Sequence, residues 1–143
     1  MKFKFTITLS LLLFIGCTKS DDSGIIIEPA GAAEYSITNQ SDLDLEVVFT
    51  LNGQLNNQPD QSKIIKSKTS TIVFNDGAFG FNPFPSYTFN QIKFYETPKE
   101  ENNLLLTIST VSDDDWTIIG REDFETGYGL TKFEFTITQE SFE

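Results

Sequence analysis

"DLDLEVVFTLNG", Asp42 to Gly53, decides the fold class. Leu43, Leu45, Val47, Phe49 and Leu51 alternate with Asp42, Asp44, Glu46, Val48 and Thr50, a period of two over ten residues. Successive side chains of an extended strand point to opposite faces, so one row enters a core and the other meets mostly water. Asn52-Gly53 then ends the strand with a turn signal.

Working outward, "LTKFEFTIT" (130–138) repeats the pattern, with Thr131, Phe133, Phe135 and Ile137 set against Lys132, Glu134 and Thr136. Shorter strands are expected at "YSITN" (35–39), with Tyr35 and Ile37 on one face, and at "SKIIK" (62–66) and "STIVFN" (70–75). Others fall at "YTFNQIKFYE" (87–96), where Ile92 and Phe94 share a face, at "LLLTIST" (104–110) and at "WTIIG" (116–120). Turns or loops separate them at 54–61, at Asn75-Asp76-Gly77, at "AFGFNPFPS" (78–86), at 98–103 and at "SDDD" (112–115). The only helical expectation after residue 17 is a single turn in "TQESF", with Thr138 as its cap. About seven short strands punctuated every 8 to 12 residues or so predict an all-β fold, a β-sandwich that is immunoglobulin-like in the broad sense. An open barrel is the alternative.

The amino terminus reads differently. Met1-Lys2-Phe3-Lys4 precedes the uncharged run "FTITLSLLLFIG", which ends in a small residue. A basic start, an apolar stretch and a small-residue end are the parts of a secretory signal. A membrane-spanning helix needs about 20 apolar residues, which this run does not supply. Residues 1–16 are therefore expected to be removed on export.

The chain has one cysteine, and it follows at once. "LFIGC" resembles the lipobox of bacterial lipoproteins, in which a small residue such as Gly16 precedes a cysteine that becomes the new amino terminus. That resemblance implies that Cys17 carries a diacylglycerol thioether and a further acyl chain. Two or more chains hold a protein firmly to a membrane, each buried methylene contributing about 0.8 kcal/mol. "TKSDD" (18–22) resembles the Lys/Ser-plus-acidic export signature of surface lipoproteins of the Bacteroidota. That resemblance implies that Lys19, Ser20, Asp21 and Asp22 direct the protein to the outer membrane, facing outward. Residues 17–33 read as the lipidated cysteine and a flexible tether, though Ile25-Ile26-Ile27 resembles a short edge strand more than a linker. The β-sandwich domain is expected over 34–143.

Charge narrows the partners. The chain carries 10 Lys and Arg against 21 Asp and Glu, a formal net charge of −11. Removing Lys2 and Lys4 with the signal leaves 8 basic residues against the same 21, or −13. Such a surface repels phosphate backbones, so no nucleic acid is expected as a partner, and anionic lipid is engaged only through the anchor. With Cys17 lipidated, no disulfide forms within the domain, which is large enough to do without one and is expected to be monomeric.

Chemistry is sparse. There is no His, which removes the commonest general base and zinc ligand. Neither a phosphate-binding glycine loop nor a "GxSxG" elbow is present. Paired carboxylates could cleave glycosides, but no spacing singles out a pair, so the chain reads as a non-enzyme with no cofactor and no metal. Asp42, Asp44 and Glu46 would form a straight row about 6.6–6.8 Å apart on a strand. A calcium ion needs ligands converging at about 2.3–2.6 Å, so the row reads as a solvated face. Asp113-Asp114-Asp115 lacks the pattern of a calcium loop and reads as a polar turn.

"FGFNPFPSYTF" (79–89) is the remaining feature. Five exposed aromatics would invite aggregation, so most of this loop is expected to plug the end of the sandwich. Tyr87 and Phe89, at the start of a strand, should include a core residue. Phe81 and Phe84, beside Gly80, Asn82 and Pro83, are the pair expected to stand exposed and bind a sugar ring or a protein.

The "IGC" lipobox, "YxITNxS" at 35–41, "QIKFYE" at 91–96 and the closing "FEFTITQESF" together resemble small lipoproteins of the Bacteroidota, a group with no agreed activity. The expectation is a lipid-anchored accessory binding module for glycans. The alternative is an envelope-structural protein or an immunity-type inhibitor that binds another protein.

Overall fold

The computed structural model describes residues 30–53, 59–125 and 127–143. The alternating segment becomes strand β2 (Leu45–Leu51), with Leu45, Val47 and Phe49 buried as the period of two requires. Val48, on the opposite row, is also buried, where it is flanked by Ser62 and Lys93 on the neighbouring strands. The second alternating segment is β8 (Gly129–Ile137), with Thr131, Phe133 and Ile137 buried.

Six further strands complete the described fold: β1 (Ala30–Asn39), β3 (Gln61–Ile65), β4 (Ser70–Phe79), β5 (Phe89–Glu96), β6 (Leu104–Ile108) and β7 (Thr117–Glu122). They form two four-stranded sheets, one ordered β4-β1-β8-β7 and the other β3-β2-β5-β6. The protein is an all-β sandwich. β1 lies parallel to β8 and antiparallel to β4, while every other pairing is antiparallel. The immunoglobulin likeness is one of architecture: here the chain crosses between sheets after β1, β3, β4 and β6. Among the described residues, no helix is long and apolar enough to cross a membrane.

Three expectations are corrected. The boundary between tether and domain does not fall at residue 34, because Ala30 already pairs with β4 and Gly31–Ala33 with both neighbours of β1, and Ala33 is buried. Asn75-Asp76-Gly77 is not a turn but the body of β4, paired with Glu34, Ala33 and Ala32. Asp42 and Asp44 precede β2 rather than lying on its face, and their carboxylates reach Lys68 and Lys66 at 2.8 Å each. The closing turn forms as a 3-10 helix, Gln139–Phe142, with Thr138 at its cap in a reciprocal box with Ser141.

The core is aromatic. Tyr35 is stacked on Phe133 and meets Phe89 and Trp116 edge-on, while Phe89 lies flat against Trp116 with centroids 5.7 Å apart. Each such pair adds about 0.5–1.5 kcal/mol to the burial itself.

Candidate functional site

The loop after β4 runs back over the inner face of its sheet. It crosses at Gly31, where any Cβ would collide with the Phe81 carbonyl and the Asn82 side chain. Asn82 Nδ2–H donates to the Tyr128 carbonyl and to Thr131 Oγ1, both at 2.9 Å, which fixes the crossing. Pro83 and Pro85 are buried. Pro85 opens a single helical turn, α1 (Pro85–Thr88), where its missing N–H costs nothing and its fixed φ suits the helix.

Two side chains from elsewhere clamp that turn. The Asp113 carboxylate accepts the Ser86 N–H at 2.7 Å and the Ser86 hydroxyl at 3.0 Å. Asn52 Nδ2–H donates to the carbonyls of Ser86 and Tyr87 at 2.8 and 2.9 Å. The aromatic side chains of the loop therefore project from a held backbone.

Phe89 is in the core at 2% exposure, while Phe84 and Tyr87 are 43% and 47% exposed and Phe79, at the end of β4, is 71% exposed. Phe81 is half-buried beneath them, so the exposed pair is Phe84 with Tyr87 rather than Phe84 with Phe81. The rings of Phe81, Phe84 and Tyr87 touch one another at centroid distances of 4.9 to 6.0 Å. Their planes are inclined by 44° to 88°. They make a faceted cluster, not a flat platform.

A cleft lies on either side. One, of about 360 Å³, has Tyr87, Phe74, Asp76 and Thr88 in its walls. The other, of about 350 Å³, is bounded by Phe81, Phe84, Arg121, Asp123 and Tyr128. Between the first cleft and the core runs a short relay, from the Tyr35 hydroxyl to Thr88 Oγ1 (2.7 Å) and from Thr88 to Asp76 Oδ2 (2.6 Å). Burial holds the Tyr35 proton well above the usual tyrosine range.

Cys17 and Lys19, Ser20, Asp21 and Asp22 lie outside the described residues, as does the Ile25-Ile26-Ile27 segment. Among the described residues, no group of three His, Cys, Asp or Glu side chains is placed to hold a metal ion. Sequence reasoning missed Asn52, Asp76 and Asp113, each hidden in a run that reads as a turn. No protein-family model matches the sequence, and no curated protein matches it.

Proposed function

We propose that this protein is an outer-membrane lipoprotein of the kind found in the Bacteroidota, anchored through Cys17 and facing outward. Its sandwich serves as an accessory binding module for glycans, working beside larger surface proteins. The observation that carries the reading is the exposure of Phe84 and Tyr87 on a clamped turn. A sugar ring offers C–H groups to the negative face of an aromatic ring, and a held backbone reduces the entropy lost on binding. The absence of His from the chain accords with binding rather than catalysis.

Three measurements test it. Cys17→Ala should move the protein out of the membrane fraction with its β signal intact, and replacing Lys19, Ser20, Asp21 and Asp22 by Ala should keep it membrane-bound but hidden from external protease. Phe84→Ala should remain folded and lose a glycan that the wild type retains on an array. A Cys17→Ala protein that stays in the membrane sinks the anchor. Unchanged glycan retention by Phe84→Ala sinks the aromatic site.

A further inference from the structure

We propose that the cleft beside Tyr87 is a subsite for one ring of a neutral sugar, with Asp76 accepting a hydrogen bond from a ligand hydroxyl. This rests on the glycan reading and goes further by naming the class of sugar.

The cleft of about 360 Å³ lies at the lower end of the range for small-molecule sites, about 300–1,000 Å³. Tyr87 and Phe74 supply aromatic surface and Asp76 a charge. Asp76 breaks the pattern of its strand. It shares the inward face of β4 with Phe74, two residues before it, where an apolar side chain would be expected.

The direction of the hydrogen bonds follows from the chemistry of the groups. An ionised carboxylate only accepts, so Thr88 donates to Asp76 and Tyr35 must donate to Thr88. Asp76 Oδ1 also accepts the Gly77 N–H at 2.8 Å. Each carboxylate oxygen keeps a second acceptor direction. Asp76 therefore offers acceptors and no donor, which matches the hydroxyls of a neutral sugar and makes the bond charge-assisted.

The same group rejects acidic sugars. Among the described residues, no Lys or Arg lines this cleft, and the chain as a whole carries a formal charge of −11. A uronate or sulfated ring would bring a second anion into a site with no cation to meet it.

The test uses the purified full chain and titration calorimetry. Probes are neutral tetrasaccharides of glucose, mannose and xylose, with an oligogalacturonate of equal length as the acidic counterpart. At least one neutral probe should bind, with the uronate weaker by about tenfold or more at low salt and the gap narrowing as salt screens the repulsion. Asp76→Asn keeps an acceptor for Thr88 and should stay folded. It should bind the neutral probe about tenfold more weakly and discriminate less against the uronate. Tyr87→Ala, at an exposed ring, should abolish binding without lowering the melting temperature. Should Asp76→Asn fail to fold, the salt dependence of wild-type discrimination still decides. Equal affinity for both probes, or an Asp76→Asn protein that binds and discriminates like the wild type, overturns the subsite; binding that still needs Phe84 would then leave the broader glycan reading standing. If no probe binds at all, both fall.

Discussion

The two ends of the sandwich are closed in opposite ways. At the end where β1 runs into β2, polar side chains do the stitching. Asn39, fully buried, donates to the Leu43 carbonyl at 2.7 Å and accepts from both the N–H and the hydroxyl of Ser41. Ser67 Oγ–H donates to the Ser41 carbonyl, and Lys66 and Lys68 reach Asp44 and Asp42. At the other end, where β1 begins at Ala30, aromatic rings cover the sheets, with Phe89 buried and Phe79, Phe84 and Tyr87 left partly in water. The difference separates closure from presentation. An end closed by short polar groups offers a ligand little apolar area, whereas one closed by rings buries some faces and displays the rest.

The largest effect should come from the floor of the aromatic end. Phe89 meets Tyr35, Phe49, Phe74 and Trp116, and Phe89→Ala should cost about 3–5 kcal/mol by emptying that contact. Phe84→Ala, five residues earlier and ahead of α1, should change stability by no more than about 0.5 kcal/mol. Denaturant titration of the two variants checks the division. Equal losses would mean that Phe84 is a plug like Phe89 and that this end displays nothing.

An intermediate effect belongs to the polar end. Asn39→Ala strands the buried Ser41 N–H and removes the shortest hydrogen bond to the Leu43 carbonyl, and should cost about 2–3 kcal/mol. Hydrogen exchange should show the loss concentrated in Gln40–Asp44 and the facing Lys66–Thr69 turn, with the aromatic loop unchanged. Loosening of both ends alike would show that they are not separate units.

How far the sequence reveals this contrast depends on the range of the interactions. β2 and β8 are legible because their burial is decided by alternation within each segment. Ala30–Ala33 is not, since small residues carry no apolar contrast and become strand only by pairing with β4 and β8. Asn75-Asp76-Gly77 has the composition of a turn, but the ladder to β1 keeps it extended. At the site, the loop was legible as aromatic, and one of Tyr87 and Phe89 as core, which proves to be Phe89. The choice of Tyr87 over Phe81 as the exposed partner of Phe84 was not legible, because it depends on a crossing at Gly31 some fifty positions away in sequence. The clamp by Asn52 and Asp113 is equally non-local.

The smallest effect isolates charge. The Lys66 ammonium, and after it the Ser67 N–H at 2.9 Å, holds the Asp44 carboxyl below the usual carboxylate range. A group whose folded pKa is depressed adds stability above its unfolded pKa, about 3.9 for Asp. That stability is lost as pH falls through the lower folded value, when the proton goes on in both states. Asp44→Asn should therefore be less stable than the wild type at neutral pH, by less than either change above, since the pair is exposed. The gap between the two melting temperatures should begin to shrink below pH of about 4 and close at more acid pH. High salt at pH 7 should also narrow it. Phe84→Ala, which alters no charge, should keep a constant offset from the wild type under all of these conditions. A gap for Asp44→Asn that ignores both acid and salt would assign the closure of the polar end to its neutral hydrogen bonds alone, with Lys66 and Asp44 as bystanders.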